Sequence, residues 1–376
     1  MNRLSHTSAA AAHPPDLGPP PHSLAEAATW LADGAARLLP GARRPGPHGA
    51  SLFLPQADPS APPLLRLRDF AALLEGCAAA LSEAELRAGL KVFLDAQAAD
   101  GTFPDSLRLD GTGGRPALDG VHEMIAAVWC AFRRLGDPAL IEPNIPALVK
   151  GLRAVPRDAR TDLVSIAPGP AKARCGGGFM DAVRLRGDVL FPSLLHVRGC
   201  QQLADLLQSL GRDGDADTWR AEGQHVGKRI RMYFWDKRPG LFKAAAGNCA
   251  QHDLWGSALA VYLNVATSGQ LIAIAKYFQT HYAEVVRDGH LRHLPADECW
   301  EDTEAPRGTG QNGGYWAVPV GWLAYTLDIV SPDLAERTVL DLAAAFAADG
   351  VWQCLNEDGR REGPNYLASL ALPAAG

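Results

Sequence analysis

The stretch His252-Asp253-Leu254-Trp255-Gly256-Ser257-Ala258-Leu259-Ala260-Val261-Tyr262 carries no carboxylate, lysine or arginine after Asp253, and Tyr315-Trp316-Ala317-Val318-Pro319-Val320-Gly321-Trp322-Leu323 carries none at all. A helix that is apolar all round offers no face to water and has to be enclosed by other elements. Other segments, such as Asp213 to Trp235 and Pro332 to Asp349, set one apolar stripe against a charged face, as a half-exposed helix does. Enclosed helices paired with half-exposed ones specify an inner ring covered by an outer ring.

Working outward, the same pairing recurs along the chain. Ser23-Leu24-Ala25-Glu26 is a capping box that starts a first helix over about 23–39, ended by Pro40-Gly41. Residues 41–65 are rich in Pro and Gly and form an irregular connection with a short extended piece at Leu52-Phe53-Leu54. Arg68-Asp69 opens one helix, and a second capping box at Ser82-Glu83-Ala84-Glu85 opens its partner. The next pair runs from Asp119 to Gly136 and from Asp137-Pro138 onward, and a third from about Gly187 to Gly211, returning through Trp219 to Phe234. His252 to Leu263 pairs with Gln270 to Tyr282, and Tyr315 to Val330 with a helix capped by Ser331-Pro332. A short helix from Pro364 to about Leu372 has only the first helix left to cover it. Twelve helices in six pairs, with inner members starting near residues 69, 119, 187, 252, 315 and 364, suggest an all-α array of helix pairs closed into a toroid. An open solenoid is the competing arrangement.

Composition narrows the partners. Among 376 residues, 36 basic and 42 acidic side chains give a net charge of −6 without long Lys/Arg runs, which argues against nucleic acid and anionic membranes and for a small uncharged ligand. Seven cysteines without a C-x-x-C pair fit neither a disulfide framework nor a zinc cage and point to the cytoplasm. Residues 1–21 are Ala/Pro/His-rich without a signal-like apolar core and read as a disordered arm before one catalytic domain over 22–376. No metal or cofactor is expected. His122-Glu123 lacks the second histidine of a zinc helix, and Asp213, Asp215 and Asp217 are followed by Thr218 and Gln224 where a calcium loop needs glycine and glutamate. Gly308-x-Gly310-x-x-Gly313 follows no strand, so it is not a dinucleotide loop.

Each inner helix is preceded by a loop of acids, amides or aromatics: Arg68-Asp69, Asp119 to Glu123, Gly178-Phe179-Met180-Asp181, Gln251 to Trp255, Gln311 to Trp316, and Asn356-Glu357 with Asn365-Tyr366. In a closed toroid these loops converge on one end. Rings that stack on sugar faces, beside carboxylates and amides that bind hydroxyls, suit a carbohydrate.

These motifs, in this order over residues 66–376, resemble the six-hairpin glycosidases, the (α/α)6-barrel group that includes processing α-glucosidase and the glycogen-debranching branch. Gly178-Phe179-Met180-Asp181 is similar to the family's Gly-Met-Asp loop, which implies that Asp181 is the general acid. Asn356-Glu357 followed by Gly363-Pro364-Asn365-Tyr366 resembles the Glu-Asn-Tyr segment that precedes a Pro-Asn-Phe helix start, which implies Glu357 as general base, with Glu362 as rival and the Glu298, Glu301 and Glu304 cluster behind. The resemblance implies sugar contacts from Arg68, Asp69, Asp119, Gln251, Asp253, Trp255, Gln311, Asn312, Tyr315, Trp316 and Asn365. Asp69, Asp119 and Asp253 serve equally well as helix caps, and Trp255, Trp300, Trp316 and Trp352 as core. The expected reaction is hydrolysis of an α-linked non-reducing sugar with inversion, for which two carboxyls stand about 6.5–9.5 Å apart across the bond. Two alternatives keep the toroid: a sugar epimerase using His122, His252, His290 and His293 as proton shuttles, or a carbohydrate-binding protein without catalysis.

Overall fold

The Ser82 hydroxyl accepts the Glu85 N–H at 3.3 Å while the Glu85 carboxylate accepts the Ser82 N–H at 2.9 Å, so this helix starts where its capping box places it. Thr267 and Gln270 form a second reciprocal box. The computed structural model that contains these helices describes residues 16–167 and 178–376.

In chain order the helices are α1 (Leu24–Ala42), α2 (Leu67–Cys77), α3 (Glu83–Leu94), α4 (Gly120–Leu135), α5 (Pro138–Ile141), α6 (Ile145–Ala154) and α7 (Leu190–Ser209). There follow α8 (Asp213–Tyr233), α9 (Leu254–Tyr262), α10 (Ser268–Thr280), α11 (Tyr282–Val285), α12 (Val320–Asp328), α13 (Pro332–Asp349) and α14 (Ala368–Ala375). Helices α2, α4, α7, α9, α12 and α14 pack side by side in that order, and α14 packs back against α2, which closes the ring and excludes the open solenoid. The outer layer is α3, α5–α6, α8, α10, α13 and α1, with α1 lying against α14, α2 and α13. The first helix therefore completes the last pair. Inner helices are buried along nearly their whole length: in α9 every residue from Leu254 to Val261 is enclosed.

Several expectations are corrected by the fold. The outer helix after Asp137 is split, because Pro143 and Pro146 remove helical N–H donors and leave a short α5, a 3₁₀ turn and α6. Arg68 and Asp69 lie inside the first turn of α2 rather than in a loop before it. Tyr315–Trp316 and Arg361–Pro364 are strands, not helix starts. They belong to a five-stranded antiparallel sheet, in spatial order Arg361–Pro364, Trp352–Leu355, Tyr315–Trp316, His290–Arg292, Val286–Arg287. Of the arm, residues 1–15 lie outside the described part, and in residues 16–21 Leu17 is buried beside Gly34 of α1 and Leu370 of α14.

The axis of the ring is filled. Phe191 of α7 and Trp322 of α12 meet at 5.9 Å between ring centroids, and Arg198 of α7 bridges Glu123 of α4 at 2.9 Å and Glu75 of α2 at 3.5 Å. A buried guanidinium shared by two carboxylates is stable only when both partners stay in place. The interlock therefore ties three inner helices together.

Candidate active site

The strand Leu64–Arg66 runs directly into α2 and pairs with a strand at Ser106–Arg108. The Leu67 N–H donates to the Asp105 carbonyl at 3.1 Å, and the Arg115 N–H to the Asp105 carboxylate at 3.2 Å. This hairpin, the first turns of α2 and α4, and Asp181 enclose a cleft of about 580 Å³ at the end of the ring where the inner helices begin. Its charged walls are Arg66, Arg68, Asp105, Arg115, Asp119, Glu123 and Asp181.

Asp181 hangs from a strained turn. Gly178 has φ 55° and packs so tightly on the Phe191 ring that a Cβ there would overlap it; Phe179 follows with φ 63°. A left-handed non-glycine residue costs on the order of 1–3 kcal/mol and persists only where its surroundings hold it. Here the Gly178 N–H donates to the Asp119 carboxylate at 2.8 Å, the Arg68 guanidinium covers the Phe179 ring at 4.4 Å, and the Ala182 N–H donates to the Gln311 side chain at 2.6 Å. Gly176 and Gly177, the rest of the glycine-rich loop, lie outside the described residues. The Asp181 side chain remains 45% exposed, with Arg68 at 2.9 Å and Arg66 at 3.7 Å from the same carboxylate oxygen.

These surroundings separate the acids of the cleft. The Arg68 guanidinium holds the Asp181 carboxyl below the usual carboxylate range. Burial pushes Asp119 and Asp69 up despite the same arginine. Burial also raises Glu123 to about 7, with Arg198 opposing it. The sequence names Glu123 only as the last residue of the Asp119 to Glu123 loop, without a role of its own, and the structure puts it in the cleft wall. The available signal was its spacing, one helical turn after Asp119 and on the same face.

The remaining sequence candidates lie around this cleft rather than in it. The Tyr366 hydroxyl donates to Asp69, which is buried beneath Arg68. Asp253 caps α9 through the Gly256 N–H at 2.7 Å, and Trp255 is wholly buried, stacked on His293 at 4.1 Å and edge-on to Trp316. The Gln251 backbone carbonyl accepts the Ala244 N–H, while its side-chain oxygen is buried without a partner. Asn312 bonds Trp300 and Ala305, Trp316 donates to the Gly310 carbonyl, and Asn365 donates to the Ala57 carbonyl. Tyr315 lies under Arg287 and Arg292.

Glu357 sits on the turn between the last two strands, paired with the buried Arg292, and is not among the cleft-lining residues. Its backbone N–H donates to the Gly308 carbonyl at 2.8 Å, and Gly308 bonds Asn312, the neighbour of Gln311. The Asp181 and Glu357 turns thus both rest on the 308–314 loop. Glu362 is exposed and accepts from Asn356 at 2.6 Å. Glu298 pairs with His252, Glu301 accepts the Cys249 N–H, and Glu304 pairs with Arg184. None of His122, His252, His290 and His293 lines the cleft; His122, His290 and His293 are buried, and burial lowers each of them.

No family profile matches the sequence, and no curated protein matches it. Solved structures do. The GH63 mannosylglycerate hydrolase from Thermus thermophilus in complex with glucose superposes with a TM-score of 0.69 at 15% identity, covering 92% of this chain and 99% of that one. An uncharacterized conserved protein from the same organism gives 0.66 at 16% identity with the same coverage. A rhamnosidase from Klebsiella oxytoca with rhamnose bound gives 0.67 at 13% identity over 95% of this chain and 65% of that one. With its ring closed by α14 on α2 and 92% of its length superposed on the mannosylglycerate hydrolase, the chain has the (α/α)6 toroid fold of the six-hairpin glycosidases.

Proposed function

We propose that the protein is a glycoside hydrolase that releases an α-linked non-reducing sugar from a small glycoside or oligosaccharide, with inversion. The observation that carries this reading is the placement of a half-exposed Asp181, on a strained turn, in a large charged cleft at the inner-helix mouth of a toroid shared with known hydrolases. Asp181 is the acid in this reading and Glu357 the base that activates water. Arg68 holds the Asp181 carboxyl below the usual carboxylate range, so proton donation requires substrate to loosen that pair. Glu357 has to reach the cleft past the 308–314 loop.

A second assignment within the same reaction is favoured by one observation: within the cleft, Arg68 holds the Asp181 carboxyl down while burial lifts Glu123 to about 7 even against its pairing with Arg198. Carboxyls pushed apart in this way take the base and acid roles respectively.

Asp181→Asn, Glu357→Gln and Glu123→Gln assayed on matched α-glycosides and α-glycosyl fluorides separate the assignments. Loss of the general acid lowers glycoside turnover about 10²–10⁴-fold and spares the fluoride, whose leaving group needs no proton, whereas loss of the base lowers both. The expected pattern is sparing for Asp181→Asn and loss of both for Glu357→Gln. Sparing for Glu123→Gln with loss of both for Asp181→Asn would install the second assignment. Retained anomeric configuration by NMR, or full activity in all three variants, would overturn the proposal.

A further inference from the structure

Two buried amide side chains connect the 308–314 loop to the turns that carry Asp181 and Glu357. Gln311, expected from the sequence to contact sugar, is only 9% exposed, and its side-chain oxygen accepts the N–H of Ala182, the residue after Asp181, at 2.6 Å. Asn356, the residue before Glu357, is wholly buried. Its side-chain oxygen accepts the Gly310 N–H at 2.9 Å, and its amide donates to Glu362 at 2.6 Å. One amide thus leaves the loop for the Asp181 turn, and the other enters it from the Glu357 turn. The Glu357 N–H adds a main-chain bond to the Gly308 carbonyl at 2.8 Å.

Between these anchors the loop is tied to itself. The Gly308 N–H donates to the Asn312 carbonyl at 2.8 Å, and the Gly314 N–H and the Trp316 indole both donate to the Gly310 carbonyl at 3.0 Å. Asn312, the other expected sugar contact, commits its side chain to the Trp300 N–H and the Ala305 carbonyl, both at 2.9 Å. Gly308 has φ 78° and lies so close to the Glu357 carboxylate that a Cβ would overlap it. The Trp300 indole donates to the Gln311 carbonyl at 2.8 Å, and its ring meets His293 edge-on; His293 stacks on Trp255, which meets Phe179 at 6.3 Å. Both flanks of Asp181, Phe179 on one side and Ala182 on the other, therefore lead back to the same loop. Catalytic groups keep a productive geometry when hydrogen-bonded, packed neighbours of this kind hold them.

Resting on the hydrolase reading with Asp181 as acid and Glu357 as base, we propose that the 308–314 loop is a rigid spacer between the two acids, and that Gln311 and Asn356 are the positioning residues that fasten its ends. The sugar contacts expected of Gln311 and Asn312 are thereby replaced by a geometric role. Inversion needs two carboxyls held about 6.5–9.5 Å apart, and a misplacement of about 1 Å lowers the rate on the order of 10²-fold. Slack at either end of the spacer therefore slows turnover and leaves substrate binding intact.

Three measurements on the full chain test this. Gln311→Ala and Asn356→Ala should each lower kcat about 10- to 100-fold with KM changed less than about twofold. The double variant should be no slower than the slower single one, because either cut frees the same spacer. A raised KM with kcat intact, effects that multiply in the double variant, or an unchanged kcat in Asn356→Ala would each overturn the inference. The second measurement guards against a merely damaged fold. Asn356→Asp sets two acids against each other, whereas Asn356→Asp with Glu362→Gln restores their hydrogen bond and keeps the acceptor for the Gly310 N–H. The pair should recover kcat to within about threefold of wild type, and a pair as slow as Asn356→Asp alone would count against the spacer. The third needs no glycoside. Amide exchange followed by NMR should speed up at Glu357 in Gln311→Ala and at Ala182 in Asn356→Ala, each across the loop from the substitution. Changes confined to the substituted end would sink the proposal, whereas coupled exchange in a chain that hydrolyses no glycoside would remove the hydrolase reading alone.

Discussion

Asp253 has one carboxylate oxygen on the Gly256 N–H and the other, Oδ2, buried without a partner, and burial raises its carboxyl from an ordinary 3.8 to about 7. A carboxyl raised in the folded state is most compatible with folding below its unfolded value, and that compatibility is lost as pH climbs through the folded value. Between about pH 4 and pH 7 wild type therefore loses stability that Asp253→Asn, which keeps the cap acceptor but cannot ionise, does not lose. At pH 8 the variant should melt at least ~2 °C above wild type, and at pH 4 the advantage should vanish, as read by thermal unfolding across the range. A constant difference at all pH values would show that Asp253 is not the titrating group. The same buried corner explains why Asp253 and Trp255 were read as sugar contacts: residue type and spacing suit a pocket, and nothing in the sequence says that His293 closes over Trp255.

At the scale of elements, the ring closes where α2 meets α14. Gly76 lies so close to α14 that a Cβ there would run into the Ala371 carbonyl oxygen, backbone that cannot step aside without moving the helix. Gly76→Ala should cost about 3 kcal/mol, at the upper end of overpacking, with a lowered denaturation midpoint. An unchanged midpoint would mean that α14 is free to shift. Helices were legible because their signals are local and redundant: the Ser82 box, the left-handed Gly136 cap and the uncharged run of α9 each fix a boundary or a face within a few residues. The strands were not. Two to four residues cannot display an alternation, and Tyr315-Trp316 is as apolar as the helix that follows, so only pairing with Leu291 and Cys354 across the sheet reveals it. In the site the same contrast holds. Asp181, Arg68 and Asp119 were readable from loop chemistry, whereas Glu123, Arg66 and Arg115 gain their place from how α4 and the hairpin fold toward one another.

For the whole molecule, α1 is the outer cover of α14 and α2 although more than 300 residues separate it from α14. A chain beginning at Arg43 leaves those two faces bare. It should bind a hydrophobic dye and melt at a lower temperature and over a broader range than the full chain, because the ring would be uncovered at the place where it closes; melting identical to the full chain's would show that α1 is dispensable. The Arg198 interlock and the aromatic pair below Phe179 carry a different consequence. They pack the axis of the ring beside the cleft, whose described walls come from the first turns of α2 and α4, the hairpin and Asp181. An axis packed in this way offers a long polymer no bore to thread. On the hydrolase reading proposed above, a glycan would be trimmed from its tip in separate visits rather than reeled through.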